Sequence, residues 1–331
     1  MMSHHYVRSA WVAALSVGAI ASPVASAQSS WKPEKTIEIV VPTGAAGIND
    51  SNARLIQKTL QDQKLVTVPV LVQNKAGGNQ SIAVVYLNQH PADPHYVLYS
   101  TATVFTNQLA GITPLSYKDL TPLALLLVDY TVITVKADSP IKGMRDLIDK
   151  LKADPESISF GVVARGGPNH LAVAQALRST GLDPKKLKLV VFKTNAESVT
   201  AVIGGHVDAM VSSVSAALPQ VQAGNARMLA VAAPQRVGGS LAKLPTMREQ
   251  GIEATGISNW RAVFGAKGIT PAQIQFWEDA LAKVVTTPDW KHQLESNNLE
   301  SRFTRGRDLA KFMDTEHAAT RAVMVDLGLA K

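Results

Sequence analysis

Cysteine is absent from this chain of 331 residues, and aromatic residues make up only 5% of it. Without cysteine the protein has no disulfides and no thiol chemistry, so its stability must come from packing. The scarcity of aromatics bears on the formal charge of +7, because a nucleic-acid-binding face combines clustered basic residues with aromatic side chains. Here lysines and arginines are scattered along the chain. The composition therefore favours anionic partners but argues against nucleic acid.

The motifs of several large enzyme classes are missing as well. No GxGxxG follows a predicted strand and no P-loop motif occurs, which removes the usual phosphate loops for dinucleotides and nucleoside triphosphates. HExxH and GxSxG are absent, and the histidines are dispersed without metal-ligand spacing. The sequence predicts no catalytic residues, no metal and no cofactor. A secreted hydrolase, whose catalytic residues would come together only in the fold, is the alternative function.

Long apolar runs are also lacking. The longest, at residues 10–21, is too short to span a bilayer. Arg8 precedes it, and the Ala-Ser-Ala of residues 25–27 fits the small-x-small cleavage rule, so we predict a secretory signal peptide at residues 1–27 with cleavage after Ala27. No cysteine offers a lipid attachment point at the cleavage site. We therefore expect a freely diffusing periplasmic protein.

Apolar runs of strand length alternate with helical periodicity along the rest of the chain. The predicted strands lie at residues 37–41, 66–72, 96–99, 123–128, 131–135, 158–163, 187–192, 207–211, 228–232 and 262–266. This alternation predicts an α/β fold with mostly parallel sheets and helices on both faces. From Pro271 onward the pattern is almost wholly helical, with Thr270 as the predicted N-cap of its first helix.

No linker rich in glycine, proline or serine separates two independent domains. Two places are suited to a hinge: the paired strands around Asp129 and Tyr130, and the return near residues 256–260. We therefore expect one lobe at residues 28–128 with 256–331, a second lobe at 129–255, and a ligand cleft between them. A chain that crosses twice between lobes in this way builds a cleft that opens and closes.

Loops built almost entirely of small residues follow several predicted strands. In the first, Pro42 ends the strand, residues 44–47 leave main-chain N–H groups uncovered, and Asn49 or Asp50 caps the next helix. A helix N-terminus has unpaired donors and about half a positive charge, so it stabilises an anion without a cationic side chain. Similar loops lie at residues 74–80, 100–103, 164–170 and 193–195. Because ligands bind beyond the carboxyl ends of strands in open parallel sheets, these loops are expected to converge on one cleft.

The order and spacing of these loops resemble the substrate-binding proteins of tripartite tricarboxylate transporters, also called Bug proteins. Matches fall at Pro42, Gly47, Asp50, Ala53, Arg54, Asn74, Gly77, Ala83, Gly161, Gly166, His170 and Leu171, and within residues 204–208, 222–231, 244–251 and 260–271. The resemblance covers essentially the whole predicted mature chain. This chain departs from the family's loop motifs at these residues: Thr43, Ala45, Ala46, Lys75, Ala76, Gly78, Asn79, Gln80, Val162, Ala164 and Gly167. Four of these, Ala46, Asn79, Gln80 and Ala164, stand where the motifs have glycine.

The resemblance implies a two-lobed periplasmic binding protein of the Venus-flytrap type. Such a protein captures a small carboxylate, here a di- or tricarboxylate or an aromatic acid, and delivers it to the membrane permease subunits of a tripartite transporter. A monomer is expected. Presentation of the bound ligand to a membrane receptor uses the same closed form, so a sensor subunit also remains as a function.

In this family one carboxylate is held mainly by main-chain groups and bridging waters between two loops, one from each lobe. The resemblance therefore implies ligand contacts at Thr43, Ala45, Ala46, Gly47, Asn49 and Asp50 in lobe one, and at Val163, Ala164, Arg165, Gly166, Gly167, His170, Thr194 and Asn195 in lobe two. Thr101 and Thr103 offer hydroxyl groups to the same cleft.

Three of these residues have a second interpretation. Asp50 is better suited to capping or bracing its loop than to contact, because a carboxylate repels an anionic ligand. Arg165 is either a solvated residue at the loop tip or a residue whose guanidinium binds a second carboxylate with two hydrogen bonds. His170 opens a helix, which favours a structural role.

Overall fold

The computed structural model describes residues 1–2, 31–192, 194–253 and 259–331. The predicted signal peptide apart from its first two residues, residues 256–258 of the predicted hinge, and Lys193 of the predicted loop at 193–195 lie outside the described residues. The strands are β1 Ile37–Val41, β2 Val70–Asn74, β3 Tyr96–Thr101, β4 Leu120–Val128, β5 Thr131–Lys136, β6 Ser159–Val162, β7 Lys188–Val191, β8 Ala209–Ser213, β9 Ala226–Val231, β10 Trp260–Ala266 and β11 Glu300–Thr304. The helices are α1 Ile48–Asp62, α2 Ser81–Asn88, α3 Thr103–Leu109, α4 Met144–Ala153, α5 Pro168–Arg178, α6 Asn195–Ile203, α7 Val214–Gln222, α8 Pro271–Val284, α9 Pro288–Ser296 and α10 Gly306–Asp326.

The strands form two sheets, and the prediction of a two-lobed α/β fold is confirmed. The first sheet has the order β11-β4-β10-β3-β1-β2 and the second the order β7-β6-β8-β5-β9. In the first sheet β1, β2, β3 and β4 share one direction while β10 and β11 oppose them, and in the second sheet β5 alone opposes the other four. Both sheets are therefore mixed, with most strands running the same way.

The opposed strands follow from where the chain crosses between the sheets. β4 runs toward the crossing at Asp129, whereas β10 starts there with Trp260 paired to Val128, so the two strands must be antiparallel. For the same reason β5, which leaves the crossing, runs against β8, with Thr131 paired to Ser213. Thus the crossing places the ends of strands from both sheets side by side.

One element was not predicted. β11 lies within the segment expected to be helical, and it pairs with the edge strand β4. Its sequence, Glu-Ser-Arg-Phe-Thr, has a single large apolar residue, and its side chains are half-buried or exposed. No apolar alternation marks such a strand, because it needs only backbone hydrogen bonds to an existing edge.

Apolar packing links the two sheets. The largest core cluster extends from the first sheet through Tyr130 and Val132 to Val214 and Leu218 on α7. A small separate cluster joins Leu109 of α3, Leu171 of α5 and Met324 of α10. Among the described residues, none of the helices is both long and apolar enough to cross a membrane.

The predicted cap of α8 is confirmed and gives a direct test of the fold. Thr270 accepts a hydrogen bond from the Gln273 N–H at 3.4 Å, and Gln273 accepts one from the Thr270 N–H at 2.7 Å. Thr270→Ala should lower the free energy of unfolding by about 1 kcal/mol because it removes the side-chain acceptor. Urea denaturation measures this loss. Thr270→Ser keeps the hydroxyl, and an equal loss in that variant would show that the cap is not responsible.

Candidate functional site

A cavity of about 670 Å³ lies at the ends of strands from both sheets. Eleven of the residues expected at a ligand site line it: Thr43, Ala46, Gly47, Asn49, Thr101, Thr103, Val163, Ala164, Gly167, His170 and Asn195. The other five, Ala45, Asp50, Arg165, Gly166 and Thr194, are not part of the lining. Loops from both sheets therefore meet at this cavity, as their positions after the strands suggest.

The loop between β1 and α1 presents main-chain donors. The expectation that Asn49 or Asp50 caps α1 is wrong, because both lie inside the helix, which begins at Ile48. The N-cap is Gly47, which has no side chain to cap the helix, so the first N–H groups are not bonded by a cap. Ala46 has a φ of 64°, in the left-handed region that glycine adopts without strain. Both residues line the cavity, and both are exposed.

Asp50 braces this loop from behind the cavity. Its carboxylate accepts hydrogen bonds from the Ala46 N–H at 3.0 Å and from Arg54 Nε at 2.9 Å. Asn74 Nδ2 donates to the other carboxylate oxygen and to the Thr43 carbonyl, both at 3.0 Å. Burial raises the pKa of the Asp50 carboxyl, but the hydrogen bonds, led by that from Arg54, outweigh burial and leave the pKa below its ordinary value. The bracing role proposed for Asp50 from sequence thus has a structural basis.

The loop between β6 and α5 is built in the same way on the opposite side. Gly167 is the N-cap of α5 without a capping side chain, and Pro168 occupies the first helical position. Gly166 has a φ of 78°, a conformation that favours glycine. Arg165 is exposed at the loop tip, and its side chain is not part of the cavity lining.

His170 both braces this loop and lines the cavity. Its Nδ1 accepts a hydrogen bond from the Gly166 N–H at 2.9 Å, which places the proton of the neutral ring on Nε2. Burial, together with the charge of Arg165, lowers the pKa of His170 to about 4. The imidazole is therefore neutral at physiological pH, with an N–H available as a donor.

The wall formed by β3 and α3 carries hydroxyl and amide groups. Thr101 and Thr103 share a hydrogen bond of 2.7 Å between their hydroxyl oxygens, and Thr101 is also 3.1 Å from Gln80 Oε1. At the end of this wall, Asn79 and Gln80 adopt φ values of 50° and 76°. Thr194 has a different role, since its side chain caps α6 by accepting the Glu197 N–H at 3.1 Å.

A buried arginine that the sequence reasoning missed lies at the base of the cavity. Arg261 is only 6% exposed, and its Nε donates to Asn49 Oδ1 at 2.7 Å. Its Nη1 donates to Asn259 Oδ1 at 2.6 Å and to the Asn259 carbonyl at 2.9 Å. The available signal was a lone charged residue in the otherwise apolar strand Trp-Arg-Ala-Val-Phe-Gly-Ala.

Asp129 faces this arginine from the first crossing. The carboxylate is fully buried, with its Oδ2 3.7 Å from Arg261 Nη2 and within hydrogen-bond distance of Ser215 Oγ at 2.6 Å. Burial raises the pKa of Asp129, although the positive charge of Arg261 and the hydrogen bonds from Ser215 oppose the rise. Ser215 lies in the first turn of α7, so the carboxylate joins the crossing to the second sheet.

The charge on the lining is of one sign. Among the described residues that form it, Arg261 is the charged side chain and no aspartate or glutamate takes part. The remaining polar lining residues are neutral amides and hydroxyls together with His170. Asn79, Gln80 and Asn169 lie in loops expected at the cleft, although they were not among the expected contacts. The lining residues that the sequence did not indicate as part of the site include Ser51, Ser213, Ser215, Asn259, Gln293 and Asn297. The described residues contain no group of three histidine, aspartate or glutamate side chains placed to hold a metal ion. The arrangement is suited to an anion held by neutral donors.

The family model for the tripartite tricarboxylate transporter family receptor matches residues 53–329. The chain belongs to this receptor family. A UPF0065 protein from the gbd 5' region of Cupriavidus necator is 28% identical over 335 residues, which is 100% of this chain and 99% of the relative.

Solved structures agree with the assignment to this receptor family. A TctC solute binding protein from Polaromonas, determined without ligand, has a TM-score of 0.72 at 26% identity and covers 88% of this chain and 99% of its own. Rpa4515 from R. palustris, determined with adipate, has a TM-score of 0.78 at 24% identity and covers 90% of this chain and 99% of its own. At 24% identity, the similarity to Rpa4515 shows a shared fold alone.

This receptor keeps a glycine-like backbone at three of the four positions where its loops have lost a motif glycine; the exception is Ala164, whose φ is not positive. Ala46, Asn79 and Gln80 stand at glycine positions of the family motifs, and all three have positive φ. All three also line the cavity. The substitutions therefore place side chains at the cavity while the loop conformation is retained, at a cost in backbone strain.

The strain at Ala46 predicts a stabilising substitution. Ala46→Gly should raise the free energy of unfolding by roughly 0.5–1 kcal/mol, because the relieved left-handed strain exceeds the added entropy of the unfolded chain. Ala45 is also exposed but does not have positive φ, so Ala45→Gly should destabilise instead. Urea denaturation of both variants tests the assignment, which fails if the two shift stability in the same direction.

His170 predicts a pH dependence of stability. The pKa of a histidine is near 6.5 in the unfolded chain and about 4 here, so the stabilisation is complete above pH 6.5 and is lost as the pH falls toward 4. Between pH 7.5 and 5 the wild type should lose about 2 kcal/mol more than His170→Gln, which cannot titrate. Urea denaturation at both pH values measures this difference. His206→Gln, at an exposed histidine, controls for loss of an imidazole as such, and equal losses in wild type and His170→Gln would contradict the prediction.

Proposed function

We propose that this protein is a periplasmic solute-binding receptor that captures a small organic carboxylate and delivers it to the permease subunits of a tripartite tricarboxylate-type transporter. The arrangement of α1 and α5 carries the proposal. Their N-termini meet at one cavity from different sheets, and neither is capped by a side chain. Each N-terminus contributes about half a positive charge, so a carboxylate between them is stabilised from both sides.

The composition of the lining supports an anion as the ligand. It combines one arginine with neutral donors and includes no acidic side chain among the described residues. A volume of about 670 Å³ accommodates a small organic acid with bridging waters. The adipate held by the R. palustris relative supports a carboxylate of this size class.

Closure of the two lobes is the proposed mechanism of capture. Lobe one comprises residues 28–128 with 256–331 and lobe two residues 129–255, with hinges at the two crossings. Gly47 belongs to lobe one and Gly167 to lobe two. A ligand that contacts the loops of both residues therefore favours the closed form. Binding energy is thereby converted into a conformation that a permease recognises.

The proposal excludes turnover and takes the receptor to act as a monomer. His170 Nδ1 is occupied by the Gly166 N–H, so that nitrogen cannot accept a proton from a neighbouring hydroxyl. The hydroxyl of Ser215, another lining residue, is bonded to Asp129. These contacts disfavour the hydrolase alternative at this cavity.

A bulky residue at the α1 N-cap should abolish binding. A Cβ added at Gly47 meets only the Gly44 carbonyl oxygen, at 4.0 Å, so Gly47→Leu fits the fold but places its side chain where the cavity begins. The test is a thermal shift of ligand-stripped protein against a panel of carboxylates. An acid at a hundred times its Kd adds about 2.7 kcal/mol to the wild type, a shift of several degrees. We expect no shift in Gly47→Leu.

Gly44 provides the matched control. It lies in the same loop, has no heavy atom within 4 Å of an added Cβ, and is not part of the lining, so Gly44→Leu should bind as the wild type does. Undiminished binding by Gly47→Leu would refute the placement of the site. Absence of a shift with every acid in a folded wild type would refute carboxylate capture itself.

A further inference from the structure

The guanidinium of Arg261 lies between the first turns of the two helices that point at the cavity. Its Nε bonds to Asn49, the second residue of α1, at 2.7 Å. Its Nη1 bonds to Asn259 Oδ1, and the amide of Asn259 reaches Asn169, the second residue of α5, at 3.4 Å. A buried positive charge therefore contacts the first turn of α1 directly and is linked through Asn259 to the first turn of α5.

One nitrogen of this guanidinium, Nη2, forms an ion pair with Asp129 but donates no hydrogen bond to the described residues. The hydrogen bonds of Arg261 to described residues come from Nε and Nη1. The acid nearest to Nη2 is Asp129, at 3.7 Å, beyond hydrogen-bond distance. The carboxylate oxygen in question already accepts the Ser215 hydroxyl at 2.6 Å. Nη2 is not among the buried side-chain atoms left without a partner in the described residues, so it is accessible from the cavity that Arg261 lines and can donate to a ligand.

We propose that Arg261 is a specificity-determining residue whose Nη2 binds a second anionic group of the ligand, so that the receptor prefers a dicarboxylate to the monocarboxylate of equal chain length. This inference rests on the proposed capture of a carboxylate by α1 and α5. One carboxylate lies at the helix N-termini, and the other meets Arg261. Since Nε bonds within the first turn of α1, both anionic groups of one diacid can be held in the same cavity.

The position of Arg261 distinguishes it from the arginine that the loop sequence suggested. Arg165 is exposed and its side chain is not part of the lining, whereas Arg261 is more than nine-tenths buried on the lining itself. A guanidinium fixed by four hydrogen bonds to Asn49, Asn259 and Trp260 loses little freedom on binding a carboxylate. Asp129 limits the affinity that Arg261 adds, because its negative charge repels the second carboxylate of the ligand.

The test is calorimetric titration with succinate against butyrate and with adipate against hexanoate. The wild type should bind each diacid more tightly than its partner. Arg261→Gln should weaken diacid binding roughly 10- to 100-fold, the scale of a hydrogen bond to a charged group, and leave monoacid binding within about threefold. Equal changes for both members of a pair, or no change, would overturn the proposal and leave Arg261 a structural tie. If the wild type binds none of these acids, the proposed function fails instead.

Asp129→Asn provides a second measurement if Arg261→Gln does not fold, as judged by circular dichroism. This variant removes the charge that faces Nη2 and keeps an oxygen for the Ser215 hydroxyl. The ratio of diacid to monoacid affinity should rise if Arg261 binds the second group. A ratio equal to that of the wild type would overturn the proposal, because a purely structural arginine does not distinguish the two acids.

Discussion

The two crossings between the sheets meet at one hydrogen bond, and the site is built on that meeting point. The Asp129 N–H donates to the Asn259 carbonyl at 3.0 Å, which holds the end of β4 beside the start of β10. Arg261 of β10 lies at the base of the cavity next to this hydrogen bond. Its guanidinium is bonded to both Asn49 and Asn259. In the proposed closure these crossings are the hinge, and they also form the base of the cavity, so a ligand bound there contacts the segments that are proposed to move.

Anion capture by main-chain groups constrains the loops more than it constrains their side chains. The N–H groups at the start of a helix can bind a ligand when no side chain caps the first turn and when the ligand can come close to the backbone. Small residues permit both. The conformation persists at Ala46, Asn79 and Gln80 although each lacks the freedom of glycine. The side chains at such positions can therefore vary and alter the cavity wall while the donors stay in place.

The sequence predicted those features that depend on local pattern. Apolar runs of strand length predicted the central strands, and small residues after β1 and β6 predicted the loops around Gly47 and Gly167. It did not reveal β11, which has no apolar face, nor Arg261, whose partners Asn49 and Asp129 are distant in sequence. Such contacts arise from topology, because β10 enters the sheet between strands formed more than a hundred residues earlier.

The small cluster of Leu109, Leu171 and Met324 has a consequence for ligand release. Leu171 belongs to α5, which carries a cavity loop of the second sheet, while α3 and α10 pack with the first. Any opening that separates α5 from α10 exposes these three apolar side chains to water, at about 25 cal/mol for each Å² uncovered. In the proposed mechanism of capture, the residence time of the ligand therefore depends on an apolar contact that is not part of the cavity lining.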